Sequence, residues 1–130
     1  MPVAATRPHI AAVRALLVAA GLTVQLGGDG EPVAPCVVLW PSPGEPAAGS
    51  VADPVGDLVV ELTATAVGST PDQALWVSDR VTTTLAQAVP VVAGRSCRPM
   101  WQTWRAPLAR DDDSTPPTWF ASTRWRLTSS

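Results

Sequence analysis

Three consecutive aspartates, Asp111, Asp112 and Asp113, form the densest acidic run in this 130-residue chain. Carboxylates so grouped can hold a hard divalent cation or act as an acid/base pair. A hard-cation site needs several oxygen ligands that converge, and neighbouring residues in an extended segment point in different directions. The alternating acidic positions, glycine and distal Glu of a calcium-binding loop are also absent. The run lies in RDDDSTPPTWFASTRWRL and reads as a charged turn, opened by Arg110, that feeds a strand. His9 is the single histidine, with no acid or nucleophile near it in sequence, and a surface or capping role is expected of it. Cys36 and Cys97 lack the C-x-x-C spacing, so a Cys/His zinc site has no ligand set. Cys36, in CVVLW, reads as a buried free thiol. Cys97 sits in a loop between Arg95 and Arg98, whose charges could lower its pKa. GLTVQLGGDGEP carries neither phosphate-cradling pattern, and no serine has G-x-S-x-G context. The residues offer no catalytic, cofactor-binding or metal-ligating set, and the chain is expected not to be an enzyme.

Composition points instead to association. Hydrophobic residues make up 46% and charged residues 15%, and all nine basic residues are Arg. A net charge of −2 and a pI near 5.1 speak against electrostatic binding of nucleic acid. Sparse charge with six Trp and no Tyr predicts apolar surface covered by a partner. In MPVAATRPHIAAVRALLVAAGL, Arg14 interrupts the apolar run and no cleavage-site pattern follows. No stretch reaches the roughly 18 apolar residues that span a bilayer. A soluble, intracellular, single-domain chain with no membrane partner is expected over 1–130.

The elements that must position these residues follow from periodicity. Ile10, Val13, Leu16, Leu17 and Ala20 share a helical face that Gly21 ends. Strands are predicted over 22–26 and 36–40, and over 57–67, where Leu58, Val60, Leu62, Ala64 and Ala66 alternate with Val59, Glu61, Thr63, Thr65 and Val67. Between the last two lies PSPGEPAAGSVADP, which includes Pro43 and Glu45. It is an aperiodic segment long enough to be functional, and is the first candidate for subunit contacts. GSTPDQ starts a helix over 70–89, with Thr70 as N-cap and Gln73 closing a capping box over an Ala74/Val77/Val81/Leu85 stripe. Strands over 100–108 and from Thr118 complete the order α-β-β-β-α-β-β. This is an α+β fold, a mainly antiparallel sheet with two helices packed on one face.

Alternation sends Trp104, Trp119 and Trp125 inward, so most Trp residues are expected in the core. Trp76, off the helix stripe, and Trp101, on the opposite strand face, are the interface candidates. Arg124 and Arg126 occupy the outer face of the last strand. With Arg110, they are expected close enough to Asp111–Asp113 to offset some of that charge.

The succession of an N-terminal helix, VVLWPSPG, VGSTPDQALWVSDRV and RDDDSTPPTWFASTRWRL resembles the small tail terminator, or tail completion, proteins of long-tailed phages. The resemblance covers most of the chain. It implies an α+β protomer that assembles with itself as a homohexameric ring on the head-proximal end of the tail tube. There the ring stops tube polymerisation and docks to the head–tail connector protein. It further implies localisation in the virion after assembly in the host cytoplasm. The partners would be the tail tube and connector proteins, with genome DNA passing the lumen without specific binding. An Asp111–Asp113 turn facing that lumen would form a collar repelling phosphates. A turn facing outward, or docked on a neighbour's Arg, is the alternative. A head-completion adaptor, an injection-apparatus subunit, and a ferredoxin-like ligand-binding domain or enzyme are the alternative functions.

Overall fold

A computed structural model describes residues 6–42, 45–46 and 57–130. Helix α1 (Thr6–Ala19) buries His9, Ile10, Val13 and Leu17, and the chain turns at Gly21 with φ +88°, a conformation that favours glycine. Strands β1 (Val24–Leu26), β2 (Cys36–Pro41), β3 (Glu45–Pro46) and β4 (Leu58–Gly68) precede α2 (Pro71–Leu85). β5 (Trp101–Arg105), β6 (Ala109–Asp111) and β7 (Thr118–Ser129) follow. The sheet order is β1-β2-β4-β7-β5, with β3 pairing β4 and β6 pairing β7. β1 and β2 run parallel, and every other pair is antiparallel. Both helices lie on one face, as the α+β reading requires.

That face is built by alternation. Leu58, Val60, Leu62, Ala64 and Ala66 of β4 are buried, as are Ala121, Thr123, Trp125, Leu127 and Ser129 of β7. Ala74, Val77, Val81 and Leu85 of α2 close over them, each essentially inaccessible. A fully buried Val or Leu side chain contributes about 1.5–3 kcal/mol through apolar transfer, so this stripe holds α2 in place despite the poor helix chemistry of Thr82–Thr84. Thr70 caps as expected, its Oγ1 accepting from Gln73 N at 3.1 Å, while Gln73 Oε1 reaches back one residue further than a capping box and accepts from Ser69 N at 2.7 Å. Gly68 sets how closely α2 starts against β4. A Cβ there would stand 2.3 Å from the backbone nitrogen of Ala74.

Three expectations give way. First, α2 ends at Leu85 rather than near Val89. Ala86 leaves the helix at ψ 121° and Gln87 adopts φ 63°. Gln87 N donates to Met100 O at 3.0 Å and Met100 N to Ala88 O at 2.8 Å. This pairing replaces the last helical turn and seats Met100 fully in the core.

Second, the strand expected over 100–108 is shortened to β5, a separate β6 forms beyond it at Ala109–Asp111, and β5 changes register on β7 between Gln102 and Trp104. The extra residue of that bulge turns the expected inward Trp104 outward, opposite Arg124, onto the face where Trp101 stands opposite Arg126. Of the six Trp, Trp125 alone is fully buried and Trp119 is half-buried. Trp40, Trp76, Trp101 and Trp104 are 45–58% exposed.

Third, His9 is buried. Its Nε2 lies 2.7 Å from Ser129 Oγ, and Arg95 Nε donates to the same oxygen at 3.2 Å. The topology places the end of β7 under the start of α1, across 120 residues of sequence.

Candidate interaction surface

The sheet face away from the helices carries no layer of secondary structure among the described residues. Its register can be read rung by rung. Trp40 stands opposite Thr63, Thr63 opposite Arg124, and Arg124 opposite Trp104. One rung along, Glu61 faces Arg126, which faces Trp101. Arg124 lies over the Trp104 ring, 5.2 Å from its centroid. Arg126 donates to Glu61 Oε1 through Nη2 at 2.7 Å and Nε at 3.1 Å. Both partners are part-exposed, which limits such a pair to about 0–1 kcal/mol. The Trp40 ring lies against the Gly27 backbone, where an added Cβ would meet it at 2.1 Å. Glycine at 27 is what leaves room for that ring.

Towards the other end of the same face is a groove of about 620 Å³. Thr65, Val67, Phe120 and Ser122 form its floor. Gly30, Glu31 and Pro32 form one wall, and Asp111, Asp113 and Ser114 the other. The first wall belongs to the β1–β2 connection, which returns across the sheet because β1 and β2 are parallel. In doing so Ala34 covers a small cluster of Cys36, Val38 and Val67. Burial pushes the Cys36 thiol above its ordinary pKa, partly offset by a hydrogen bond from the backbone at Val33. The Cys97 thiol is raised as well. Its desolvation outweighs the lowering influence of Arg95.

The second wall is the β6–β7 hairpin turn, as the sequence indicated. Asp111 Oδ1 accepts from Asp113 N at 3.0 Å. Ser114 Oγ donates to Asp111 O and accepts from Thr118 N, both at 3.0 Å. Arg110 Nε pairs with Asp112 Oδ1 at 2.8 Å and its guanidinium lies over Trp119. Among the described residues no group of three or more His, Cys, Asp or Glu could hold a metal ion.

The predicted interface residues therefore separate. Trp101, Arg124 and Arg126 come together on the bare face. Arg110 and Asp111–Asp113 stand at the groove end of it. The expected offset of that turn by Arg124 and Arg126 does not occur. They lie six or more residues along β7 from Thr118, roughly 20 Å away, and are engaged with Trp104 and Glu61. Trp76 is on the helix side, exposed, with Arg80 over its ring at 5.8 Å. Pro43 lies outside the described residues, as does most of 41–54, and Glu45 is placed only by its β3 backbone pairing with Val59. Sequence reasoning missed Trp40, Trp104, Phe120 and Glu31. Trp40 had a signal, as the polar-edged end of an apolar strand beside Pro41. Trp104 had none, because a bulge decides its face.

No family model matches the chain, and no curated protein sequence matches it. Among solved structures it is similar to a chain of one described as "Virion of native gene transfer agent (GTA) particle". The TM-score is 0.63 and the identity 16%, over 92% of each chain. At that identity the likeness is one of fold.

Proposed function

We propose that this chain is a structural, non-enzymatic subunit of a phage-type virion. In this reading it is the tail terminator, a ring at the head-proximal end of the tail tube. The observation that carries the reading is the fold shared end to end with a chain from a gene transfer agent virion. A sheet face left bare, with Trp and Arg across it, supports it. Those residue types dominate the energetics of subunit contacts. The ring, six-fold in this proposal, would bind the tail tube protein on one side and the connector protein on the other, with DNA passing through.

Removing the gene separates the possible joints. A terminator's absence should leave filled heads apart from tails, and those tails should overrun their normal length in electron micrographs. Tails of normal length beside leaking heads would indicate a head-completion adaptor. Intact, infectious or transfer-competent particles would overturn a virion role.

A further inference from the structure

We infer that the bare sheet face is where successive copies meet, the acid-lipped groove of one copy receiving the Arg/Trp-bearing β5 edge of the next. The inference rests on the ring reading and names the surfaces that would build it. The groove walls carry Glu31 on one side and Asp111 and Asp113 on the other, above an apolar floor that includes Val67 and Phe120; no lining residue is basic. A cation with flat apolar bulk behind it fits such a slot.

The same chain carries that shape elsewhere. β5 ends the sheet order and, among the described residues, pairs only with β7, which leaves its outer backbone edge without a described partner. Along it stand Trp101 and Trp104, 58% and 45% exposed, with Arg124 stacked on Trp104; the exposed Arg105 follows on the same edge, paired with Thr123 and so directed to the other side of the sheet. Among the described residues neither Arg105 nor Arg124 has a carboxylate partner. They cannot reach the groove of their own chain. Arg105 is opposite Thr123 and Asp111 opposite Thr118, a separation along β7 of roughly 17 Å. Opposite charges left unmatched within one copy are matched between two.

The two surfaces are unlike patches of one copy, the groove at one end of the open face and β5 along the edge of its other end. Contact between them is head-to-tail, and each added copy is rotated against the last. Such contacts close into rings when the rotation permits.

Charge reversal tests the contact. Glu31→Arg with Asp113→Arg changes only the groove, and Arg105→Glu with Arg124→Glu only the edge. None of these four side chains holds a turn or the core. The native chain should form a ring by light scattering or native mass. Each reversed pair should weaken association at least about tenfold. Combining all four reversals in one chain should restore the ring. A native ring that persists in both reversed pairs would overturn the groove-and-edge contact while leaving the ring reading intact. A native chain that stays monomeric, or stops at a two-fold dimer, would overturn the ring reading and the contact with it. Should a variant not fold, the native assembly still decides. A contact of opposite charges should loosen as salt rises from about 0.05 to 0.5 M, as the Debye length shrinks. Salt-independent association across that range would overturn it.

Discussion

The two faces of β4 and β7 present the same strands to different surroundings. One face, with Leu62, Ala64, Trp125 and Leu127, is sealed by α2; the other, with Glu61, Thr63, Arg124 and Arg126, is open. The sealed face is small and large apolar residues fitted under a helix. On the open face Trp104 lies under the Arg124 guanidinium and Trp40 against the Gly27 backbone. Burial therefore fixes the fold from one side, and the other is free to carry association. If that division holds, substitutions on the two faces should fail in different assays.

The largest effects should be on the sealed face. Trp125→Ala should cost about 3–5 kcal/mol and Leu85→Ala about 2–5 kcal/mol in denaturant melts, since each leaves a cavity the core cannot refill. Trp101→Ala and Trp104→Ala should each cost less than about 1 kcal/mol in the same melts, being surface changes. Comparable losses on both faces would break the comparison.

Next in size, and in the opposite assay, Trp104→Ala should weaken assembly by about 2 kcal/mol, roughly thirtyfold, because it removes both an anchor and the platform under Arg124. A Trp125→Ala chain that remains folded should assemble with little change. If Trp104→Ala assembles normally, the open face is solvent-facing and the division teaches nothing about function.

A smaller effect sharpens the picture within the open face. Replacing Glu61 by Gln leaves Arg126 without its ion pair, yet should cost at most about 1 kcal/mol, and the loss should shrink further at high salt. A larger, salt-insensitive loss would mean that Glu61 and Arg126 are covered in the working protein.

How much of this was legible depended on whether local rules decided the outcome. The capping of α2 by Thr70 and Gln73, the α2 stripe, and the alternation of β4 and β7 are local and were readable. So was the Asp111–Asp113 turn, because Asp, Ser and Pro make turns through their own side chains. Trp104 was misassigned because one extra residue in β5 inverts every later position, and a bulge leaves no mark in a Trp-Gln-Thr-Trp run. His9 was misassigned because its partner, Ser129, is 120 residues away. The groove was invisible for a similar reason: its two walls come from Glu31 and from Asp111 and Asp113, joined only by the strand order.

The smallest expected effect concerns the two thiols, and it tests whether the β1–β2 connection is a lasting cover on the open face. Cys36 is 1% exposed beneath that connection, whereas Cys97 is half-buried against the helix-side core. Burial raises both pKa values, so at neutral pH each folded thiol holds its proton more firmly than in the unfolded chain. The unfolded chain therefore loses those protons first as pH rises. From about pH 8.5, the ordinary thiol value, up to the folded pKa, the native state binds more protons and stability falls with pH. Below that window the thiols have no effect on its slope. A neutral thiol-labelling reagent at pH 8 should accordingly modify Cys97 first and Cys36 only as fast as the cover opens. The groove wall at Glu31 belongs to that same cover, so docking a second copy against it should slow Cys36 further in the assembled protein than in dilute monomer. Labelling of Cys36 at the rate of Cys97 would mean the connection opens freely. The open face would then include Cys36, Val38 and Val67, and the groove would lose one of its walls.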